Sequence, residues 1–278
     1  MKKAIAVVLA FLLLFLCGCG SKEPVETTTR APKTADMLDL PSNKKNYAEC
    51  LKRYYAVVSA VKNKIQMLET EHNKSLESEN PDSFFLDEDF IATGFDPFIF
   101  EGLSLTESFT TSMDSEQAVE VYSSVADGAA IRFEKNTENS FILRFIKEET
   151  TREYIVDYSS SDSFRYISRS ESDGNSGINE TLEFTKTGNT YYIQSRNARL
   201  FVQFDTRGNI LNFCCTTLRN GDYSNEVIYP KTDKTIEWAV DRNKDDYLNI
   251  HTYQNGTLIH EDSSSGPWQT VTVTETDR

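Results

Sequence analysis

From Ala129 to the end of the chain, polar and apolar residues alternate with a period of two, and this pattern constrains the fold more than any other feature. Period two is the spacing of side chains that share one face of a β-strand. Turn sequences such as Thr187-Gly188-Asn189 and Asn255-Gly256 interrupt the pattern, and Gly and Asn supply the positive φ angles of tight hairpins. Short connections favour antiparallel neighbours, so we predict a meander of hairpins in one large, curved antiparallel sheet. The predicted strands are 129–135, 140–147, 151–158, 163–170, 180–187, 190–196, 199–205, 209–217, 226–229, 235–241, 246–253, 256–261 and 268–275.

The residue pattern within single strands predicts how each face is covered. Leu182 and Phe184 alternate with Thr181 and Glu183, which predicts one wet face for that strand. Residues 141–146 and 200–204 carry apolar side chains on both faces. We therefore expect those two strands to be covered on both sides, on one side by a helix.

A long helix is predicted over residues 43–79. Ser42 is a good N-cap, and Asn80-Pro81 ends the helix because proline cannot continue its hydrogen bonds. At ~1.5 Å per residue such a helix would be about 55 Å long, so we expect a break near residues 71–74. The apolar stripe predicts a face that packs on the sheet, or alternatively a coiled-coil seam. It comprises Tyr47, Leu51, Tyr54, Val58, Val61, Ile65 and Leu68, followed by His72.

The connection 80–127 is acidic and rich in phenylalanine. Residues 81–113 show no periodicity and are predicted to be irregular, whereas 115–126 predict a short helix that starts at Asp114. The fold class is therefore α+β: a single domain over 43–278, with helix 43–79, the connection 80–127 and the antiparallel sheet 128–278.

The N-terminus begins with Met1-Lys2-Lys3 and continues as an uncharged apolar run to Cys17. That run is shorter than the ~20 residues of a spanning helix and is typical of a secretory signal. It ends in Leu16-Cys17-Gly18-Cys19, which resembles the lipobox of bacterial lipoproteins. The resemblance implies cleavage after residue 18 and a diacylglycerol on the Cys19 thiol. Residues 19–42, rich in Thr and Pro, would then be a flexible tether, and the protein would lie on the outer face of the cell membrane.

The charge of the chain restricts its partners. The formal net charge is −14, and loss of Lys2 and Lys3 with the signal peptide makes it −16, so a nucleic-acid partner is not expected. The start of the long helix is nevertheless basic, which predicts contact with anionic lipid. The alternative is pairing of these bases with the sheet. The residues proposed for lipid contact are Lys44, Lys45, Lys52 and Arg53.

Few residues predict chemistry. If Asn255 and Gly256 form the turn, His251 lies opposite His260, and this pair is a weak candidate for half of a zinc site. Cys214 and Cys215 should point to opposite faces, one in the core and one half-exposed. Residues 241–246 read Asp-x-Asn-x-Asp, the opening of a calcium loop, but the glycine and glutamate of such loops are replaced. No cofactor or metal ligand set is assigned.

No sequence motif of an enzyme is present, since neither a Gly-x-Ser-x-Gly segment nor a phosphate-binding glycine loop occurs. We therefore expect a non-catalytic binding or surface-interaction protein, with a protein or small-molecule partner that the sequence does not define. The order of a helix before a curved sheet is similar to that of lipoprotein carriers, which implies an acyl-ligand carrier as an alternative. A cell-envelope hydrolase with an unrecognised site is a second alternative.

Overall fold

The structure, a computed structural model, confirms the α+β class. It describes residues 43–79, 95, 100–108, 129–172, 174–219, 223, 235–239, 247–263 and 269–275. These belong to one compact unit, Asp36–Arg278. The helices are α1 (Lys44–Glu79), α2 (Glu101–Ser108) and α3 (Thr235–Ala239). The strands are β1 (Ala130–Thr137), β2 (Ser140–Lys147), β3 (Thr150–Ser160), β4 (Ser163–Ser172), β5 (Asn175–Thr187), β6 (Thr190–Ser195), β7 (Ala198–Phe204), β8 (Ile210–Leu218), β9 (Tyr247–Gln254), β10 (Thr257–Asp262) and β11 (Gln269–Thr274).

The eleven strands form one open antiparallel sheet in which every strand pairs with its neighbours in the chain, from β1 to β11. The predicted meander is therefore confirmed. The turn between β9 and β10 is the one that the sequence predicts: Asn255 and Gly256 have φ angles of 53° and 76°. These positive values at both central residues match the right-handed twist of a hairpin.

Helix α1 is continuous over 36 residues, so the predicted break near residues 71–74 is wrong. All seven predicted stripe residues from Tyr47 to Leu68 are buried, and the helix contacts β3, β4, β8 and β11 of the sheet. Near its start, the Cys50 thiol donates a hydrogen bond to the Ser160 carbonyl at 3.2 Å. Further along, the Lys64 ammonium donates to Glu275 at 2.7 Å, just beyond β11. The helix thus contacts both early and late strands of the sheet.

Helix α2 contradicts the prediction that residues 81–113 are irregular. Tyrosine hydroxyls of α1 join the two helices: Tyr47 Oη lies 2.9 Å from Thr106 Oγ1, and Tyr55 donates to Glu107 at 2.8 Å. Gly102 lies against the ring of Tyr154 and the hydroxyl of Tyr166, in a space that no Cβ could occupy. The helix has only eight residues and is stabilised by these tertiary contacts. Its own sequence therefore gives little periodic signal from which to predict it.

Helix α3 replaces the strand predicted at 235–241, so that prediction is wrong. Ile236 and Ala239 are spaced i, i+3 and share one face of a helical turn. In so short a segment, helical spacing and strand alternation cannot be told apart from the sequence. The helix packs on β7 and β8, on the sheet face opposite α1. There Trp238 packs edge-on against the Tyr192 ring, with 5.4 Å between ring centroids.

This second layer changes the expected exposure of two segments. Thr181 and Glu183 of β5 are buried, so the predicted wet face is wrong there, and Glu183 pairs with Arg165 at 2.8 Å across the strands. Cys214 and Cys215 do point to opposite faces, yet both are buried because each face carries a core. The predicted half-exposed cysteine is therefore wrong. Residues 141–143 and 200–202 are buried, as predicted for strands covered on both sides, whereas residues 144–146 and 203–204 of the same predicted segments are partly exposed.

Several predictions lie outside the described residues: the signal peptide and tether (1–42), the helix 115–126, the strand 226–229 and the loop 241–246. None of the three helices in the described part of the chain combines the length and apolarity that a bilayer-spanning segment requires.

Candidate metal centre

His251 and His260 face each other across the β9–β10 hairpin, as the turn at Asn255-Gly256 predicts. Their rings stack with 4.1 Å between centroids. Residues in register across an antiparallel sheet share a face, and Cys215 of β8 extends this row on the other side of His251. Because Cys215 belongs to the core beneath α1, the row faces that helix.

Glu69 of α1 completes the cluster. Its carboxylate Oε1 lies 3.6 Å from Nε2 of His251, and one ligand atom from each of Glu69, His251 and His260 lies within 4.8 Å of the others. Glu69 is 1% exposed and His251 is 0% exposed, whereas His260 is partly exposed. A separation of 3.6 Å is too long for a hydrogen bond. The cluster thus brings the carboxylate of α1 and the imidazoles of β9 and β10 together between the helix and the sheet.

Burial sets the protonation of the two histidines. It lowers the pKa of His251 to about 3, since the charged imidazolium would lose its hydration. Burial, and then the neighbouring His251, lower the pKa of His260 to about 4. Both rings are therefore neutral at pH 7. A neutral imidazole carries one nitrogen lone pair, which is the form that binds a metal ion.

The outer partner of His260 orients its ring. Nε2 of His260 lies 3.4 Å from the amide oxygen of Asn249, an acceptor that favours a proton on Nε2. The lone pair then lies on Nδ1, which is buried. Histidine ligands in metal sites commonly donate their second nitrogen to an acceptor in this way.

The donor set indicates which ions the cluster suits. Two imidazoles and one carboxylate are ligands of zinc-class transition metals, whereas calcium and magnesium prefer oxygen alone. Three protein ligands leave a fourth position for water. Cys215 is the next residue in the row, and burial raises the pKa of its thiol, so it is uncharged without a metal.

A second cluster of polar residues lies between α1 and the same face of the sheet. Lys64 donates to Glu275, Tyr253 donates to Glu275 at 2.6 Å, and the Lys64 ammonium lies 4.9 Å from the centre of the Tyr253 ring. The hydrogen bond from Lys64 is the main reason that the pKa of Glu275 is lowered. These contacts fix α1 against the C-terminal strands five residues before Glu69.

Sequence reasoning missed Glu69. One signal was available: Glu69 follows Ile65 by four residues and so lies beside the buried stripe, where a carboxylate is unusual. Its position beside His251 depends on a contact between distant parts of the chain, which periodicity does not encode. His72, the histidine on the stripe, is partly buried and lies outside the cluster.

The other predicted site residues are dispersed. Arg53 forms an ion pair with Asp162 in the turn between β3 and β4, which agrees with the alternative of pairing with the sheet. Lys45 and Lys52 are exposed, and Lys44 is partly exposed. Cys19 and the loop 241–246 lie outside the described residues.

Comparisons with protein-family models, with curated proteins and with solved structures found no match to this chain.

Proposed function

We propose that this chain is a lipid-anchored lipoprotein on the outer face of the cell membrane, whose body is a non-catalytic binding module. The observation that carries the proposal is the sequence Leu16-Cys17-Gly18-Cys19 after a short apolar run with a basic start. The acidic body, the proposed tether 19–42 and the absence of an enzyme motif in the sequence are consistent with it.

The fold supports a binding surface better than an acyl-ligand carrier. We propose that α1 lies on the concave face of a curved sheet, where a carrier would hold its ligand. Aromatic side chains fill the helix–sheet contact instead: Tyr47 packs against Phe141, Tyr158 and Phe164 with centroid distances of 5.5–6.0 Å. A partner would then bind the outer surface. Of the predicted Phe-rich segment, Phe95 and Phe100 are buried and do not contribute to that surface.

Replacement of Cys19 tests the anchor. Cys19→Ser should abolish the mass increase of the N-terminal peptide that diacylglycerol causes. Cys17→Ser is the matched control, since it keeps a small residue and leaves the lipidated thiol. A Cys19→Ser protein that keeps this mass increase would refute the anchor.

We further propose that Lys44, Lys45 and Lys52 contact anionic lipid. Each basic residue near an anionic surface contributes about 1 kcal/mol, so replacing Lys44 and Lys45 by Gln should weaken binding to phosphatidylglycerol vesicles about 25-fold at low salt. The experiment uses the unlipidated chain 20–278, which lacks the apolar signal segment, with Lys147→Gln as an exposed control on the sheet. Equal binding to phosphatidylcholine and phosphatidylglycerol vesicles would contradict this contact.

A further inference from the structure

We propose that Glu69, His251 and His260 bind one divalent transition-metal ion of the zinc class. Three elements distant in sequence place one ligand atom each within 4.8 Å of the others. Their types form a two-histidine, one-carboxylate set, which is a common protein ligand set for zinc. Because the site lies in the described body, it does not depend on the proposed lipid anchor.

Electrostatics support a cation at this position. A carboxylate that is 1% exposed has lost most of its hydration, and coordination to a cation is one of the interactions that stabilise a buried charge. The adjacent imidazoles of His251 and His260 can supply nitrogen lone pairs to the same ion. A dication bound between them would neutralise Glu69 and use both lone pairs.

The distances require only small side-chain movement. Ligand atoms of a tetrahedral zinc ion lie about 3.3 Å apart, since each bond is ~2.0 Å. Glu69 Oε1 and His251 Nε2 are already 3.6 Å apart, and all three ligand atoms lie within 4.8 Å. Cross-strand register fixes the two histidine backbones, so ring rotation and a carboxylate shift suffice. The partly exposed edge of His260 gives an ion access from solvent.

The test is zinc titration of the full chain, purified in mild detergent and freed of metal with a chelator that is then removed. Millimolar Mg²⁺ and Ca²⁺ in the buffer occupy oxygen-only sites on the acidic surface. We expect one zinc ion per chain with a dissociation constant of about 1 µM or lower. His260→Gln should weaken binding by about 100-fold or more, because it removes a ligand, and loss of outer-shell partners alone costs 10–100-fold.

His72→Gln is the matched control, since it removes a partly buried histidine from the same chain outside the cluster. Glu69→Gln keeps the size of the side chain and removes its charge, and it should weaken zinc binding like His260→Gln. Circular dichroism checks that each variant is folded. A second readout needs no variant: zinc should raise the melting temperature of the unmodified chain, whereas magnesium should not. Zinc binding that is unchanged in His260→Gln, or no tighter than magnesium binding in the unmodified chain, would overturn the proposal.

Discussion

Gly102 provides a sharp test of how α2 packs on the sheet. A Cβ at this position would overlap the ring of Tyr154 and lie 2.5 Å from the hydroxyl oxygen of Tyr166, about 1 Å inside the ~3.5 Å of a favourable contact. The rings have little freedom to move, because Tyr154 stacks on Tyr166 with an interplanar angle of 13° and meets Phe145 edge-on. Overpacking of this kind costs up to about 3 kcal/mol, while Ala gains about 1 kcal/mol over Gly in a helix. Gly102→Ala should therefore lower the free energy of unfolding by about 2 kcal/mol.

Urea unfolding followed by tryptophan fluorescence measures this loss. With a slope of about 3 kcal/mol per molar urea, the midpoint should fall by about 0.7 M. The control is Gly177→Ala, because a Cβ there meets nothing within 4 Å and the backbone needs no positive φ. If both variants unfold within about 0.5 kcal/mol of the unmodified protein, α2 does not pack against Tyr154 and Tyr166 as described.

Three further predictions concern acid, thiols and the hairpin turn. The folded-state pKa of His251, about 3, lies below the ~6.5 of an unfolded chain, so its stabilising contribution is complete above pH 6.5 and is lost as the pH falls. Urea titrations of the metal-free protein should show a loss of about 4 kcal/mol between pH 7.5 and 5, about 2 kcal/mol from each of His251 and His260, and His251→Gln should remove about half of this dependence. Burial raises the pKa of Cys50 to about 12, so iodoacetamide at pH 8 should label Cys50 and Cys215 only when urea unfolds the chain, as read by mass spectrometry. Gly256→Ala should lower the free energy of unfolding by about 1 kcal/mol in the same urea assay, because its φ of 76° disfavours a side chain. The space around Gly256 is open, so the added Cβ causes no clash. An unchanged midpoint would contradict the turn.

The strands could be predicted because a meander is built from local pairings. Hairpin turns fix the register of neighbours, which is why the turn at Asn255-Gly256 correctly placed His251 opposite His260. Errors arose where a second layer covers the sheet. Glu183 appears solvent-facing in the sequence, but its partner Arg165 and the surrounding layer bury it. Whether the second face of a strand is buried depends on other parts of the chain that pack on it, and the residue pattern of one strand does not show these.

The candidate site was only half predictable for a related reason. Its histidines come from one hairpin, whereas Glu69 comes from a helix that reaches β9 and β10 through tertiary packing. Helix α2 was missed because tyrosine hydroxyls and the space at Gly102 hold it, rather than an amphipathic pattern of its own. Helix α3 was misread because five residues are too few to separate period two from period 3.6.

The hydrogen bond between Lys64 and Glu275 joins residues 211 positions apart, although every strand pairing in the sheet is between neighbours. The sheet can therefore assemble hairpin by hairpin as the chain emerges, since each strand needs only the one before it. The helix that comes first in the chain obtains its last partners only when the final strand is in place. The contact between Lys64 and Glu275 therefore forms only once β11 is in place, and a chain shortened before β9 should lose this contact of its first helix.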